Sequence, residues 1–321
     1  MTHSTTNRRG FLQLALSAAA ASAGNIGLDG LLRTAAAQGN APLTETTIRD
    51  GLTLVEGAGG NVVLLQSASA AAMVDSGAPE RAADVAASVR KRLGDLPLAA
   101  LFNTHWHPAH SGGNDTFAPV AAKVVAHENT RLWMSTEYYV DWEDRTYSPR
   151  AAAALPTATF YTSDPQPLTL TVGDEHIEYG HLREAHTDGD IYVFFRERNV
   201  LVAGGTLAAG AYPILDYATG GWIDPLIEAN KRLLDLSDAS TLIVPDTGPA
   251  QPREHLVAQH EMLMVMRERI AGLMRKGNSI AEMLGAEITA DFDAAWGDNR
   301  ERFVANIYHG LWWAGRLDGS L

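Results

Sequence analysis

The sequence predicts one domain that mixes β-strands with α-helices, preceded by a short N-terminal segment of a different character. The chain has 321 residues, 46% of them hydrophobic, which is enough to bury a sizeable core. Short apolar runs of strand length alternate with longer segments of helical period. Because no internal repeat or linker divides residues 38–321, we interpret this range as a single domain.

The N-terminal segment has the features of an export signal. Residues 7–13, Asn-Arg-Arg-Gly-Phe-Leu-Gln, resemble the twin-arginine pattern, and an Ala/Leu-rich stretch follows them. Three alanines at 35–37 suit a signal peptidase, which predicts a signal peptide over residues 1–37 and a mature chain from Gln38. The stretch is too weakly apolar to remain as a membrane anchor. The predicted location is periplasmic or secreted, and an ordinary N-terminal helix is the alternative.

Charge and composition exclude several classes of partner and chemistry. The formal net charge is −13, and residues 1–37 contribute +2 (three arginines against one aspartate), so the mature chain carries −13 − 2 = −15. Such a surface repels nucleic acid and anionic lipid. The chain has no cysteine, so thiolate ligands, a cysteine nucleophile and disulfides are excluded. Any metal must bind nitrogen or oxygen.

The first half of the domain alternates strand and helix and leads to histidines. Residues 47–54 alternate in polarity and 61–66 form an apolar run, and both predict strands. A third strand over 71–74 stops at Asp75-Ser76-Gly77. A helix over 79–93 and a strand over 98–102 follow, and this strand leads into Asn103-Thr104-His105. Chemistry in α/β folds usually lies on such loops after strands.

Residues 131–167 have no clean period but are rich in aromatic side chains. This segment could be a lid or a pocket wall, or its rings could cover the core beneath a long insertion. The aromatic residues are Trp133, Tyr138, Tyr139, Trp142, Tyr147, Phe160 and Tyr161.

The second half predicts four strands, a helix, a strand and further helices. The predicted ranges are strands at 168–172, 176–181, 191–195 and 200–203, a helix at 224–236, a strand at 241–244, and a long helix from Pro252 to about Gly277. Ser279 and Glu282 fit a capping box that opens one more helix. Apolar residues between 303 and 311 predict a final helix.

The histidine pattern predicts a metal site. His105 and His107 flank Trp106, and in an extended segment residues two apart point to the same side. His110 follows, and His186 comes after a predicted strand. Three neutral imidazoles and one open position for water satisfy tetrahedral zinc, and the open position is typical of a catalytic site. We therefore take His105, His107 and His186 as candidate ligands.

Across about residues 44–311 the sequence resembles the metallo-β-lactamase superfamily. The matching segments are Asp75-Ser76-Gly77, residues 103–110 (H-x-H-x-D-H except at one position), residues 186–190, Val202-Ala203-Gly204-Gly205, and residues 244–249 in place of Pro-Gly-His-Gly-Pro. The resemblance implies an α+β fold, the αββα four-layer sandwich, with its metal site at one edge between two sheets. It also implies hydrolysis by a zinc-bound water.

The same resemblance implies that one of the two metal sites of the family is lost. His105, His107 and His186 match the ligands of the first ion. The second site would need donors at Ala109, Gly205 and Thr247, and only His110 survives there as a further candidate ligand. Alanine and glycine side chains offer no donor atom. We expect one zinc ion and an empty second site, with iron held by histidine and carboxylate as the alternative ion.

Nearby carboxylates are candidates for a base or a substitute ligand. They are Asp188, Asp190 and Asp246, and their alternative role is to hold backbone amides and turn geometry. His127-Glu128-Asn129 also resembles a family segment. We interpret it as structural or as a support of the ligands, because nothing in its spacing reaches the ion by itself.

Two functions follow from the sequence. The first is an exported mono-zinc hydrolase of a lactone, ester, thioester or amide, whose partners are a small-molecule substrate and the twin-arginine export machinery. The second is a catalytically degenerate member of the fold that binds a small molecule or a partner.

Overall fold

A computed structural model of the protein describes residues 42–161, 166–297 and 299–318. The predicted signal peptide and the domain boundary at residue 38 lie outside the described residues. Residues Pro42–Leu321 belong to one compact unit. Within the described ranges, no helix is both long and apolar enough to cross a membrane.

The described residues form fifteen β-strands. In chain order they are β1 (Thr44–Arg49), β2 (Leu52–Glu56), β3 (Val62–Gln66), β4 (Ala71–Val74), β5 (Leu98–Phe102), β6 (Val124–His127), β7 (Tyr138–Val140), β8 (Arg145–Tyr147), β9 (Ala158–Phe160), β10 (Leu168–Val172), β11 (Glu175–His181), β12 (Ile191–Phe195), β13 (Val200–Gly204), β14 (Leu242–Pro245) and β15 (Gln251–Pro252).

Helices lie between and after these strands. They are α1 (Ala82–Leu93), α2 (Pro108–Ser111), α3 (Asn114–Phe117), α4 (Glu128–Ser135), α5 (Ile223–Leu236), α6 (Arg253–Met274), α7 (Ile280–Gly285), α8 (Asp293–Trp296) and α9 (Arg300–Asp318), with 3-10 turns at Pro79–Arg81, Asp141–Glu143, Ala152–Ala154 and Tyr217–Thr219.

The strands form two large sheets and one hairpin. The first sheet has the order β1-β2-β3-β4-β5-β6-β9, and the second has the order β10-β11-β12-β13-β14-β15. The pairs β4–β5, β5–β6 and β6–β9 are parallel, and so is the pair β13–β14. The other pairs in the two large sheets are antiparallel. Among the strands that the structure describes, β7 and β8 pair only with each other.

The two sheets are buried on both faces, which gives four layers. In β3, Val63 and Leu65 lie in the core between the sheets, whereas Leu64 packs with Val85 of α1. In β12, Val193 lies in the core between the sheets. The opposite face of β12 belongs to the outer cluster that also contains buried residues of α5, α6 and α9. This αββα arrangement confirms the predicted fold class.

Most predicted elements are confirmed within one or two residues, and one is wrong. Residues 47–54, predicted as one strand, belong to two antiparallel strands, β1 and β2, which are joined by a turn at Asp50-Gly51. Gly51 has a φ of 69°, which glycine adopts at little cost, and Asp-Gly is a common hairpin turn sequence. The capping box at Ser279 and Glu282 is confirmed.

The topology brings several strand ends together at one place. Parallel strands β4 and β5 end at Val74 and Phe102, and parallel β13 and β14 end at Gly204 and Pro245. The loop after β5 is tied to the second sheet by a hydrogen bond from the Ile191 amide to the Thr104 carbonyl (2.8 Å). The loops after these strands therefore share one edge between the two sheets.

Candidate metal centre

Two histidines follow β5 on a short connection to α2. His105 is fully buried, and the rings of His105 and His107 have centroids 4.8 Å apart. Helix α2 begins at Pro108, directly after His107, and a proline at the first helical position fits because it needs no amide partner there. The proline therefore sets the start of α2 directly after His107.

The third histidine stands on the loop between β11 and β12, and Asp190 shapes that loop. One carboxylate oxygen of Asp190 accepts hydrogen bonds from the backbone amides of His186 (2.6 Å) and Thr187 (2.8 Å), and the other accepts from the Thr187 hydroxyl (2.8 Å). Burial raises the pKa of Asp190. Both oxygens of Asp190 are therefore engaged by the loop that carries His186.

Each of the three histidines has one ring nitrogen held by a neighbouring group. His186 Nδ1 lies 2.7 Å from the Ile214 carbonyl oxygen, which can only accept, so Nδ1 carries the proton. His107 Nε2 lies 3.0 Å from Asp216 Oδ2. Burial would raise the pKa of Asp216, but its hydrogen-bond donors outweigh burial and lower it. The charged carboxylate therefore accepts the His107 proton.

His105 is held in the same way through a hydroxyl group. Thr104 donates its hydroxyl proton to Asp75 Oδ2 (2.7 Å), which leaves the hydroxyl oxygen to accept from His105 Nδ1 (3.0 Å). Such partners of ligand histidines fix the tautomer and the ring orientation. All three histidines therefore carry their proton on the nitrogen that faces away from the others.

The other ring nitrogen of each of these three histidines carries no proton, and the three lone pairs point toward one another. His105 Nε2 is buried and has no hydrogen-bond partner among the described residues, and the ligand atoms of His105, His107 and His186 lie within 4.8 Å of one another. His107 Nδ1 and His186 Nε2 are 2.9 Å apart. Two lone pairs at that distance repel unless a cation lies between them, so this donor set fits a metal ion that accepts nitrogen ligands.

The protonation of these histidines is consistent with metal binding. Burial, together with the neighbouring histidines, lowers the pKa of His105 well below its ordinary value. Burial also lowers the pKa of His186, to about 4. Neutral imidazole is the form that ligates metals, so no proton has to be removed from these two rings near neutral pH.

His110 has a different environment, between two carboxylates. Its Nδ1 lies 2.8 Å from Asp75 Oδ2 and its Nε2 lies 2.7 Å from Asp246 Oδ1. Burial would lower the pKa of His110, but these two carboxylates outweigh it and raise the pKa. His110 is thus an imidazolium that donates from both nitrogens. Burial would raise the pKa of Asp246, but His110 outweighs it and lowers the pKa.

Asp246 is therefore placed beside the position where the sequence lacks a ligand. The side chain of Asp246 forms a second group with His105 and His110 whose ligand atoms lie within 4.8 Å of one another, while Thr247 is exposed. Both candidate groups include His105. Because Nδ1 of His105 is engaged by Thr104, the single Nε2 lone pair can serve only one of the two groups at a time.

Asp188 lies outside both groups. Its Oδ1 accepts a hydrogen bond from Trp133 Nε1 (2.7 Å), and burial raises its pKa to about 6. His127 is also separate from the histidine cluster: it caps α4 by accepting from the Asn129 amide and stacks on His181 with a centroid distance of 3.8 Å. Asn129 donates to the Asp188 carbonyl (3.2 Å). This segment supports the loop that carries His186.

The aromatic insertion covers Trp106, the residue between two of the candidate ligands. Trp106 contacts Tyr138 and Tyr147 edge-on, with centroid distances of 5.0 and 4.9 Å, and these tyrosines belong to the β7–β8 hairpin. Trp142, in the turn of the hairpin, donates from Nε1 to Asp216 Oδ1 (2.8 Å). The insertion therefore has its own small core and also reaches a residue that holds His107.

No sequence pattern marks Asp216 or Thr104 as residues of the site. Asp216 is 109 positions from His107 and stands in no recognisable motif. Thr104 directly precedes His105, so its proximity to the site was the available signal, but its hydrogen bonds depend on the fold.

Comparison with known proteins identifies the family. Residues 55–258 match the model of the metallo-beta-lactamase superfamily. Because the match spans more than half of the chain, the protein belongs to this superfamily, whose fold is that of metal-dependent hydrolases.

Solved structures of similar fold agree with this assignment. A metallo-beta-lactamase from Pontibacter korlensis has 18% sequence identity and a TM-score of 0.54, with 69% of this chain and 99% of that chain covered. The DIM-1 metallo-beta-lactamase has 16% identity and a TM-score of 0.54, with 70% and 98% covered. The BLEG-1 B3 metallo-beta-lactamase has 19% identity and a TM-score of 0.51, with 64% and 94% covered. At these identities the likeness concerns the fold alone.

Proposed function

We propose that this protein is an exported mono-zinc hydrolase that acts on a lactone, ester, thioester or amide. The observation that carries the proposal is the set of three unprotonated histidine nitrogens whose lone pairs point toward one another. One of them, Nε2 of His105, is buried with no hydrogen-bond partner in the described part of the chain. His105, His107 and His186 would hold the ion. When bound, zinc supplies Lewis-acid chemistry: it polarises a carbonyl group and acidifies water.

Asp246 is the residue that we assign to orient the attacking water. His110 holds its Oδ1, and no hydrogen bond among the described residues engages Oδ2. The side chain of Asp246 is 32% exposed, whereas that of His110 is 2% exposed, so solvent can reach the carboxylate. A carboxylate with a lowered pKa is a weak base, so it accepts a hydrogen bond from water and positions it.

The other two candidate bases suit this role less well. Asp190 uses both oxygens to hold the loop of His186. Asp188 is bonded to Trp133 and belongs to neither metal group. We therefore propose that these two carboxylates position the loop and its neighbours.

The proposed substrate class follows from the surroundings of the site. The chain as a whole is acidic, with a formal net charge of −13, which opposes the binding of polyanionic substrates. The aromatic rings of the insertion, including Tyr138 and Tyr147, offer an apolar wall to an acyl group. Both features favour neutral carbonyl compounds.

The test combines metal content with hydrolysis. Purified protein is analysed for zinc and iron, then assayed against lactones, esters, thioesters and amides before chelation, after chelation and after zinc is returned. We expect hydrolysis of at least one class that disappears with the metal and returns with it. His105→Ala should abolish it, and His176→Ala, a surface histidine paired with Glu197, should not.

The same experiment distinguishes the alternative function. Zinc-loaded protein that hydrolyses none of the four classes would contradict the hydrolase proposal. Such a result would favour a binding protein of this fold. The structure supports this second candidate because the side chains of Asp75, His110 and Asp246 fill the region of the second metal site.

A further inference from the structure

The β7–β8 hairpin is connected to a candidate metal ligand through one buried carboxylate. Asp216, whose side chain is fully buried, accepts from His107 Nε2 (3.0 Å) and from the Thr219 hydroxyl (2.6 Å) on Oδ2. On Oδ1 it accepts from Trp142 Nε1 (2.8 Å). Trp142 thus supplies the donor to one oxygen of Asp216, and it does so from the hairpin.

The other contacts of the hairpin turn are weaker or more exposed. The Tyr217 hydroxyl donates to Asp141 Oδ2 at 3.2 Å, and the Arg302 guanidinium lies 5.4 Å from the Trp142 ring centroid. If the hairpin moves away, Asp216 Oδ1 loses the Trp142 donor. An unsatisfied buried charged group is costly, and the partners of a ligand histidine tune its orientation and basicity.

We propose that the β7–β8 hairpin is a cover coupled to metal binding, with Trp142 as a positioning residue that acts on His107 through Asp216. The inference rests on the proposed function, because the hairpin would act on the metal site assigned there. Coupling of this kind is reciprocal. A closed hairpin strengthens metal binding, and a bound metal ion, by fixing His107 and Asp216, keeps the hairpin closed.

The experiment measures both directions of the coupling. Zinc affinity is measured by competition with a chromophoric chelator, cobalt(II) absorption reports the ligand geometry, and hydrogen exchange of residues 138–147 is followed with and without zinc. In the wild type we expect zinc to slow exchange in the hairpin more than in the remote β1–β2 hairpin. Trp142→Phe, which keeps a ring but loses the donor, should weaken zinc binding about tenfold and shift the cobalt spectrum.

Tyr139→Phe is the matched control. It also keeps a ring and loses a donor in the same hairpin, but this hydroxyl donor bonds to the exposed Asp144 within the hairpin itself. We expect it to keep wild-type zinc affinity and the zinc-dependent protection of the hairpin. In an Asp216→Asn background, Trp142→Phe should cause little further loss, because both changes break the same link.

Several results would overturn the inference. The inference fails if the Trp142→Phe variant binds zinc as tightly as the wild type. It also fails if the Trp142→Phe substitution lowers zinc affinity as much in the Asp216→Asn background as in the wild type. If Trp142→Phe does not fold by circular dichroism, the wild-type exchange data decide, and equal exchange of residues 138–147 with and without zinc rejects the coupling. Coupling without hydrolysis of any substrate contradicts the proposed function alone, whereas a wild type that binds no zinc contradicts both.

Discussion

Gly205 lies directly against the ring of His186. A Cβ atom at Gly205 would stand 2.2 Å from His186 Cδ2 and 2.8 Å from Nε2, far inside contact distance. The superfamily motif that this segment resembles ends in aspartate at the position of Gly205, so in this chain the third histidine fills the room that such a side chain would need.

Gly205→Ala should therefore weaken the metal centre. The added methyl group forces the His186 ring out of its present position, and we expect zinc affinity to fall about tenfold or more, as when a ligand histidine loses the groups that orient it. Chelator competition measures the change. Gly285→Ala is the control, because a Cβ there meets nothing within 4 Å and alanine suits a helix better than glycine.

Gly205→Asp should lower zinc affinity more than Gly205→Ala does. It should not restore a second site even when combined with Ala109→Asp and Thr247→His, because it displaces a ligand of the first. A triple variant that binds two zinc ions would show that the His186 ring can move aside at little cost.

His105 should be indispensable for metal binding. Its Nε2 belongs to both candidate groups, so His105→Ala should remove tightly bound zinc. His107→Ala leaves the group of His105, His110 and Asp246, which should bind zinc more weakly because His110 must first lose its Nε2 proton. Elemental analysis and zinc titration measure this order, with His176→Ala as the control. The wild type should hold one ion per chain, and two tightly held ions would mean that the groups do not compete.

Asp190→Asn should destabilise the loop that carries His186. The amide group that replaces one oxygen turns a donor toward the donors of the loop. We expect a loss of about 2–3 kcal/mol in the free energy of unfolding and weaker zinc binding. Denaturant unfolding of the metal-free variant gives the first quantity. Asp235→Asn, at an exposed pair with Lys231, should leave both unchanged, and an equally mild effect at Asp190 would contradict its role in the loop.

Export should depend on the arginine pair. Replacing Arg8 and Arg9 with lysine should leave the full-length chain in the cytoplasm, and mass spectrometry of the exported wild type should find an N-terminus at Gln38. Arg33→Lys lies outside the pair and should not affect export. Unchanged export of the double variant would reject the twin-arginine route.

The sequence predicted the layers of the fold and its histidines because both follow from local patterns. An apolar run such as residues 98–102 predicts a strand buried on both faces, even when the neighbouring strands are not known. Two features escaped prediction for physical reasons. The strands of the β7–β8 hairpin have three residues each, which is too short to show a period. Asp216 bonds to His107 only because the fold brings together two residues that are far apart in the sequence.

Asp246 shows the limit of aligning motifs. The resemblance placed the lost ligand at Thr247, yet the neighbouring Asp246 is the residue whose side chain reaches His110. Which of two adjacent side chains faces the site depends on the backbone conformation of the loop after β14. The sequence suggested Asp246 as a substitute ligand or base but could not distinguish it from Asp188 and Asp190.

The three candidate ligands come from different halves of the sandwich. His105 and His107 follow β5 of the first sheet, and His186 lies between β11 and β12 of the second. An ion bound by all three would join the two sheets as a cross-link at their shared edge. Because a ligand that binds only the folded state raises stability with its concentration, the melting temperature of this protein would become a measure of the free zinc around it.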